Sequence, residues 1–430
     1  MNLKRKVSKT IFLPVETVSR ELDYKVLLAM KLSSIGYDVM IGKKHLINNQ
    51  IQFYENFIYV DKGYHEGISE AIYKTIKKQN GKIVSLDEEG AVDFPGSPTL
   101  KNRYSQYMTE SVSKLFFWGK AQKSVIEKEV GKLKNAIVTG HPRFILLKNR
   151  FYGYYDKKAT SIINKYGNYI LLNTNFGFGN NINGDDYVKN NYGNRFEEID
   201  LIVEEDKKKL NHIINLVDEV SEEETIIIRP HPEENIDLYK EVFDHKKNIF
   251  IIREGSSIPW ILSCKSMVHI DCTTSIEAAI LGKKTISYLP LDLSKKFIAK
   301  LPTTITPPVK DAASLISELN SRKLNFNKQI LEDHFSISLE FDFIIEQINS
   351  IMNRNEFSIK VFNWSFILMF LLTKVKSLKH FFFPQKLAQI KYYGFTKSEV
   401  KEKVNYYRMA LNELEKCKVN SSNEIFIFKI

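Results

Sequence analysis

Residues 266–282, Ser-Met-Val-His-Ile-Asp-Cys-Thr-Thr-Ser-Ile-Glu-Ala-Ala-Ile-Leu-Gly, constrain the fold more than any other stretch of the sequence. An apolar run at 267–270 predicts a short buried strand. Apolar residues at helical spacing from Ile276 onward predict a helix that Gly282 ends. A second apolar run at 284–290 predicts the next strand. This order is one β-α-β step of a parallel sheet.

Three hydroxyl residues, Thr273, Thr274 and Ser275, lie between the predicted strand and its helix. Such residues are favoured N-caps, and a helix N-terminus with free backbone N–H groups suits an anion such as phosphate. An ordinary capped helix in an α/β domain explains the same residues equally simply. The turn therefore becomes a candidate phosphate site only if other residues support it.

A second strand end, Arg229-Pro-His-Pro232, supplies such support. Two prolines restrict the turn and fix the direction of His231 between them. A rigidly held imidazole and guanidinium are good phosphate ligands. We therefore interpret Arg229, His231 and Pro232 as part of a nucleotide-phosphate site.

The rest of the chain repeats the strand-helix alternation in two blocks. Apolar runs predict strands at 9–14, 37–42, 57–60, 81–86, 115–119, 136–140, 169–173, 225–229 and 249–253. Helical spacing predicts helices at 19–35, 68–78, 121–130 and 196–220. This alternation predicts an α/β fold with two facing Rossmann-like domains, residues 1–150 and 151–350, joined by a linker at 148–165. Residues 351–430 form the remainder, predicted to be a helical, basic-aromatic tail.

The composition limits the classes of partner. The formal net charge of +11 favours acidic partners such as nucleotides, charged sugars or anionic lipid, but the basic residues are dispersed and include no nucleic-acid recognition motif. Three cysteines without metal-ligand spacing predict a reducing compartment, hence the cytoplasm. No run reaches the roughly 18 apolar residues of a membrane-spanning helix.

The turn Asp87-Glu-Glu-Gly90 follows a predicted strand and is the strongest candidate for catalysis in the first domain. Gly90 allows a sharp turn, and three crowded carboxylates are expected to raise the pKa of at least one of them. Such an acid suits a general base or a nucleophile. A solvated acidic turn is the alternative.

Two further polar segments also follow predicted strands. His141 and Arg143 are candidates for contact with an anion or acceptor, with a capping histidine in a turn as the alternative. Asn173, Asn175 and Gly177 open the second domain in a polar loop suited to close approach of a ligand. The loop's Gly-x-Gly pattern alone is a weak signal, since it lacks the third glycine of a dinucleotide fingerprint.

The acidic turn, the His-Pro motif and the Ser/Thr motif together resemble bacterial sialyltransferases and Kdo transferases, which use CMP-activated 2-keto sugar acids on the two-domain GT-B fold. The order of all motifs resembles more closely the bacterial surface carbohydrate biosynthesis protein family. The matching segments are Asp87-Glu-Glu-Gly, Gly140-His-Pro-Arg-Phe, Asn173-Thr-Asn-Phe-Gly, Arg229-Pro-His-Pro, Arg253-Glu-Gly…Pro-Trp and Cys272-Thr-Thr-Ser-Ile-Glu.

The resemblance implies roles for particular residues. Glu88 would be the base that deprotonates the acceptor hydroxyl, ahead of Glu89 and then Asp87. His231 would stabilise the leaving phosphate, and the hydroxyls at 273–275 would hold it. The sequence contains no metal-binding motif of the Asp-x-Asp kind between paired strands, and basic groups can neutralise the phosphate instead, so no metal or other cofactor is expected.

The predicted function is transfer of a CMP-activated nonulosonic acid or Kdo-type sugar to a bacterial surface glycan or lipid-linked glycan. A CDP-glycerol-type glycerophosphotransferase and a non-catalytic polysaccharide-assembly protein are the alternatives.

In the tail, residues 361–383 combine an apolar run with lysines and aromatic residues. They are predicted either to lie in the interface of the cytoplasmic membrane's inner face or to pack back on the first domain, and residues 398–414 are predicted to be helical.

Overall fold

A computed structural model describes residues 3–90, 100, 103–147, 149–194, 196–222, 224–306, 308–321, 326–353, 355–362, 394–422 and 424–430. The described residues divide into two compact units. The first contains those from 3–90, 100–146 and 332–430, and the second those from 147–331. The described part of the first unit therefore comes from separate stretches of the chain, whereas the described part of the second comes from residues 147–331 alone.

The strands alternate with helices along most of both units. The strands are β1 Leu3–Val7, β2 Thr10–Val15, β3 Asp38–Lys43, β4 Tyr54–Glu55, β5 Phe57–Asp61, β6 Lys82–Leu86, β7 Lys114–Phe117, β8 Ala136–Val138, β9 Ile170–Asn173, β10 Ile226–Arg229, β11 Ile249–Ile251, β12 Ser266–His269, β13 Thr285–Tyr288, β14 Pro308–Val309, β15 Ser358–Phe362, β16 Lys418–Ser422 and β17 Ile425–Lys429. The α-helices are α1 Val18–Ser34, α2 Lys44–Gln50, α3 Ser69–Lys78, α4 Gln106–Ser111, α5 Lys120–Val130, α6 Pro142–Ile145, α7 Asn149–Tyr166, α8 Asp185–Tyr192, α9 Ile199–Val220, α10 Ile236–Phe243, α11 Ile258–Ser263, α12 Thr274–Ile280, α13 Lys300–Ile305, α14 Ala312–Asn320, α15 Lys328–Phe335, α16 Phe341–Asn349 and α17 Lys397–Ala410.

The first unit is organised around a sheet that, within the described residues, has eight strands in the order β16-β17-β3-β2-β5-β6-β7-β8. The strands from β3 to β8 pair in parallel, while β17 is antiparallel to β3 and β16 is antiparallel to β17. A smaller sheet pairs β15 with β1 and β4. Buried aliphatic and aromatic residues from the strands and helices of this unit form its core.

The second unit has a parallel sheet with strand order β11-β10-β9-β12-β13-β14 among its described residues. One core packs Ile226 and Ile228 of β10, Ile170 and Leu172 of β9, and Val268 of β12 against α9 and α14. Because side chains alternate along a strand, the other face receives the residues between them.

The structure confirms the predicted α/β fold with parallel sheets, and it corrects the predicted linker. Residues 148–165 are rich in Tyr, Lys and Asn, and the weaker strand-helix alternation there predicts a linker between the two domains. Instead α7 spans Asn149–Tyr166, and Tyr154, Tyr155 and Ala159 are buried along it. The spacing of these residues at i, i+1 and i+5 gives one apolar helical face, which composition alone concealed.

The predicted division at residues 351–430 also requires correction. Residues 332–350 belong to the first unit rather than to the second, and the predicted helix at 398–414 corresponds to α17, Lys397–Ala410. The end of the chain is not only helical, because β16 and β17 extend the sheet of the first unit. The basic and aromatic residues at 363–383 lie outside the described residues. Among those that are described, no helix is long and apolar enough to cross a membrane.

Candidate functional site

The strand order of the second unit identifies where a ligand would bind. From β9 the chain passes to β10 and β11 on one side, and then returns to place β12 on the other side of β9. In parallel sheets, ligands bind beyond the carboxyl ends of the strands where the order reverses in this way. Here that position is formed by Asn173 at the end of β9 with the loop that follows it, residues 174–177, and by the segment after β12, residues 270–275.

Hydrogen bonds join these two segments. The amide of Asn173 donates to the hydroxyl of Thr274 over 2.8 Å, and the amide of Asn175 donates to a carboxylate oxygen of Asp271 over 2.9 Å. The carbonyl oxygens of both asparagine side chains and the hydroxyl of Ser275 are buried without a hydrogen-bond partner among the described residues. Buried polar atoms normally have partners, so this cluster marks a place where polar groups are left for a ligand or water.

The sequence prediction for the Ser/Thr turn is met only in part. Thr273 occupies the N-cap position of α12, but its side chain makes no capping hydrogen bond. Thr274 instead accepts the hydrogen bond from Asn173. The hydroxyls at 273–275 are therefore not occupied in capping this short helix.

His231 lies on the surface beside the loop that follows β9. A methyl group added to Gly177 would lie 3.5 Å from Nδ1 of His231, which shows how closely the two segments approach. The backbone N–H of His231 donates to the buried carboxylate of Glu234, which also accepts from the hydroxyl of Thr174 and the N–H of Phe176. Glu234 thus ties the His-Pro turn to the loop after β9, and burial raises its pKa.

Arg229 does not act as the sequence predicted. Its guanidinium is buried and donates to the backbone carbonyls of Arg253, Glu254 and Gly255 at 3.0–3.3 Å. It also lies over the ring of Trp260, 5.1 Å from the ring centroid. Burial lowers the pKa of Arg229 to about 10. Arg229 therefore supports the loop after β11, and the predicted phosphate contact is corrected to a structural one.

Glu88 of the first unit is buried, contrary to the expectation that it faces a substrate. Its carboxylate accepts a hydrogen bond from the hydroxyl of Tyr24 and lies 3.3 Å from the ammonium of Lys25. The second carboxylate oxygen lies 3.5 Å from Nε2 of His141. Burial opposes ionisation, but Lys25 and His141 outweigh it, so the pKa of Glu88 lies well below its usual range.

Glu89 is the exposed acid of this turn. Its side chain is 43% exposed, whereas those of Asp87 and Glu88 are almost fully buried. Arg103 binds Asp87 through two hydrogen bonds and donates a third, of 3.1 Å, to Glu89. Burial of Glu89 is outweighed by Arg103 and Arg20, which lower its pKa. The raised pKa expected from crowding is therefore not found at Glu88 or Glu89, because each is paired with cations.

His141 is buried, and it caps a helix rather than contacting a ligand. Its Nδ1 accepts the backbone N–H of Arg143 at 3.1 Å, at the N-terminus of α6. Burial lowers the pKa of His141. Arg143 is partly exposed, with its guanidinium 4.6 Å from the ring centroid of Phe144. The capping alternative is confirmed for His141.

Sequence reasoning missed Lys25 and Glu234. Lys25 contacts Glu21 at 2.7 Å on the buried face of α1, and Glu21 also lies 3.4 Å from Lys62. The sequence did contain a pattern that indicates a buried Lys25, since Glu21 and Lys25 are four residues apart on the helical face that carries Leu22 and Val26. A pair of opposite charges on an otherwise apolar helical face indicates a buried ionic cluster. For Glu234 the signal was its position directly after the His-Pro motif.

Comparison with known proteins supports the architecture. The chain resembles the UDP-GlcNAc 2-epimerase of Methanocaldococcus jannaschii, with a TM-score of 0.51 and 14% identity over 79% of this chain and 99% of that one. The same values hold for that epimerase in complex with UDP-GlcNAc and UDP. The wall teichoic acid polymerase TagF has a TM-score of 0.49 and 13% identity over 80% of this chain and 88% of its own. No protein-family model and no curated protein matches the sequence. The likeness to the epimerase, together with the two parallel sheets, shows that the chain has a GT-B-like α/β fold.

Proposed function

We propose that the chain is a glycosyltransferase that moves a CMP-activated nonulosonic acid or Kdo-type sugar to a bacterial surface polysaccharide. The observation that carries this proposal is the polar cluster at the strand-order reversal of the second unit. There, Asn173, Asn175 and Ser275 leave buried hydrogen-bonding atoms without partners among the described residues. The epimerase with the same fold is described in complex with a nucleotide sugar and a nucleotide, which supports a nucleotide-sugar donor here.

In this proposal the donor nucleotide is bound by the second unit. The side chains of Asn173 and Asn175 and the hydroxyls at 273–275 hold the polar groups of the nucleotide, with Gly177 allowing close approach. His231, which is exposed and whose backbone is anchored by Glu234, stabilises the charge that develops on the leaving phosphate. Arg229 and Pro232 hold the loops in place. The resemblance of the motifs to CMP-sugar enzymes supports CMP over other nucleotides.

The proposed general base is Glu89. A base must come within hydrogen-bond reach of the acceptor hydroxyl, and Glu89 is the acid of the turn that reaches solvent. Glu88 and Asp87 then serve to fix the turn, through Lys25 and Arg103 respectively. The proposal thus reverses the order in which the sequence ranked Glu88 and Glu89.

The first experiment is a thermal-shift screen of the full chain with CMP, CDP, UMP, UDP and GDP. Stabilisation by CMP is expected, because a ligand that binds only the folded state raises its stability. Stabilisation by CDP with no response to CMP would instead favour the glycerophosphotransferase. Failure of all five nucleotides to bind would favour the non-catalytic assembly protein.

The second experiment tests the roles of His231 and Glu89 with a CMP-sialic acid donor. His231→Ala should lose roughly 2–4 kcal/mol of transition-state stabilisation, by analogy with loss of one oxyanion donor. Glu89→Gln should abolish transfer and leave CMP affinity within about threefold, since no phosphate contact is lost. His245→Ala, at an exposed histidine of the same unit, is the matched control for His231. Full turnover by either site variant would refute the corresponding role.

We also propose peripheral contact with an anionic membrane through the basic and aromatic residues at 363–383. The support is their composition, in which an apolar and aromatic run is followed by three lysines and then by three phenylalanines. Truncating the chain after residue 355 would not test this contact alone, because it would also remove β15, β16 and β17. Charge reversal of Lys374, Lys376 and Lys379 should instead abolish sedimentation with phosphatidylglycerol vesicles. Unchanged sedimentation would refute this contact.

A further inference from the structure

Lys209 is a buried cation in the middle of α9 that the sequence motifs did not single out. Its side chain is 4% exposed, and its ammonium has three acceptors. It lies 3.1 Å from Oδ2 of Asp271 and 3.3 Å from Oδ1 of Asp206, and it donates to the carbonyl of Phe297 at 2.9 Å. Burying an ammonium is costly unless it is paired and hydrogen-bonded, and here it is both.

The acceptors of Lys209 lead directly to the loop after β9. The second oxygen of Asp206 accepts the backbone N–H of Phe178 at 3.2 Å. The second oxygen of Asp271 accepts the amide of Asn175 at 2.9 Å. One ammonium therefore holds two carboxylates, and each carboxylate holds a different residue of the same loop.

The same network reaches a third segment of the chain. Oδ2 of Asp271 accepts the backbone N–H of Ala299 at 3.0 Å, next to the Phe297 carbonyl that Lys209 binds. The segment that precedes α13 is thereby fixed relative to the turn after β12. Lys209 therefore contacts the turn after β12 and the segment at 297–299 directly, and it reaches the loop after β9 through Asp206 and Asp271.

Gly179 shows how tightly this loop lies on α9. A methyl group there would be 2.6 Å from the backbone nitrogen of Lys207 and 2.8 Å from the carbonyl carbon of Asp206. Backbone atoms cannot give way as the end of a side chain can. The loop therefore sits directly on the helix at the level of Asp206, and a change in the Asp206–Lys209 pair is transmitted to it.

We propose that Lys209 is a positioning residue for nucleotide binding, which fixes the loop after β9 and the turn after β12 through Asp206 and Asp271. The proposal rests on the proposed function, because these two segments carry Asn173, Asn175 and Ser275 of the donor site. Lys209 does not touch the ligand. It sets the separation and the orientation of the groups that do.

The test compares Lys209→Met, Lys209→Arg and Lys207→Met in the full chain. Methionine keeps the length of the side chain and removes the charge, whereas arginine keeps the charge and can bind both carboxylates. Lys207 is the matched control, since its side chain on the same helix is 47% exposed and pairs with the exposed Asp185. The measurements are CMP affinity by calorimetry and amide hydrogen exchange of a peptide covering residues 174–180.

Lys209→Met should weaken CMP binding about tenfold or more and accelerate exchange in 174–180, because a displaced loop no longer presents both asparagines. Lys209→Arg should restore both readouts to near wild type, which a general loss of stability would not do. Lys207→Met should change neither. If Lys209→Met does not fold, Lys209→Met combined with Asp206→Asn replaces it under the same criteria, because it removes one of the two uncompensated carboxylates.

Unchanged CMP affinity and unchanged loop exchange in the methionine variant would overturn the inference. Absence of CMP binding to the wild-type chain would instead count against the proposed donor, and the exchange of residues 174–180 would then decide the inference alone. Faster exchange confined to that loop would support it, and exchange like that of wild type would refute it.

Discussion

Replacing Lys25 by methionine should destabilise the first unit strongly, and by an amount that depends on pH. Lys25 is buried, donates to the carbonyl of Pro14 at 2.6 Å, and lies 2.7 Å from Glu21 and 3.3 Å from Glu88. Methionine fills nearly the same space but leaves two buried carboxylates without this cation. Glu21 retains Lys62 at 3.4 Å, so the main loss falls on Glu88.

Two independent estimates limit how much the free energy of unfolding should fall in the Lys25→Met variant. Removing one partner of a buried ion pair typically costs about 3–5 kcal/mol. Glu88 can instead take up a proton. With an unfolded-state pKa of about 4.3, protonating this carboxylate at pH 7 spans about 2.7 pH units and costs about 1.36 × 2.7, or about 4 kcal/mol. The chain will adopt the cheaper solution, so the free energy of unfolding should fall by about 3–4 kcal/mol at pH 7.

The cost of protonating Glu88 determines how the destabilisation by Lys25→Met changes with pH. In the variant the folded-state pKa of Glu88 is raised, so the neutral form is stable below the unfolded-state pKa and becomes more costly as the pH increases. At pH 5 the same neutralisation costs only about 1 kcal/mol. The loss of stability relative to wild type should therefore shrink as the pH is lowered from 7 to 5.

Urea unfolding followed by tryptophan fluorescence at pH 5, 6 and 7 measures this difference. Lys4→Met is the matched control in the same unit, since Lys4 and its partner Glu55 have side chains that are 53% and 26% exposed. The control should stay within about 0.5 kcal/mol of wild type at every pH. A Lys25→Met variant as stable as wild type at pH 7, or a loss that does not change with pH, would refute the buried ionic cluster.

Two further predictions concern the second unit. Burial lowers the pKa of His269 to about 4. Since the unfolded-state pKa of histidine is about 6.5, the contribution of neutral His269 to the free energy of unfolding should be fully present above pH 6.5. It should fall by about 3 kcal/mol as the pH drops to 4. His269→Asn should flatten that decline in pH-dependent urea unfolding, His245→Asn at an exposed position should not, and an unchanged decline in the first variant would contradict the assignment. Glu234→Ala should lower the melting temperature and weaken CMP binding, because the carboxylate that accepts from Thr174, Phe176 and His231 is lost. Calorimetry that finds wild-type CMP affinity in this variant would show that the two loops hold their places without it.

Much of the fold could be predicted because both sheets are parallel and buried, so that their strands appear as short apolar runs. The runs at 81–86 and 169–173 correspond to β6 and β9 within one residue. Gly282 ends α12 with φ +68°, a conformation that favours glycine, as its position after the apolar spacing predicted. Local patterns sufficed wherever an element's role is set by its own periodicity.

The candidate site was less predictable, because the role of a charged side chain depends on what the fold places around it. Arg229 is the last residue of β10, Glu88 follows β6, and both carry suitable chemistry. Even so, Arg229 donates to three backbone carbonyls and Glu88 is enclosed by Tyr24, Lys25 and His141. Position along the sequence indicated which end of the sheet these residues occupy, but not whether they point outward. The partners lie far away in sequence, beyond the reach of any local pattern.

The order of strands in the first unit has a consequence for biosynthesis. Phe428 pairs with Val39, so the strand that covers the edge of β3 is translated 389 residues after it (428 − 39). At about 5–20 residues per second, β3 would wait roughly 20–80 s for that partner, with its edge exposed to pairing with other chains. The second unit is continuous from 147 to 331 and needs no later segment. The unit whose first strands are translated earliest is therefore expected to complete its fold last.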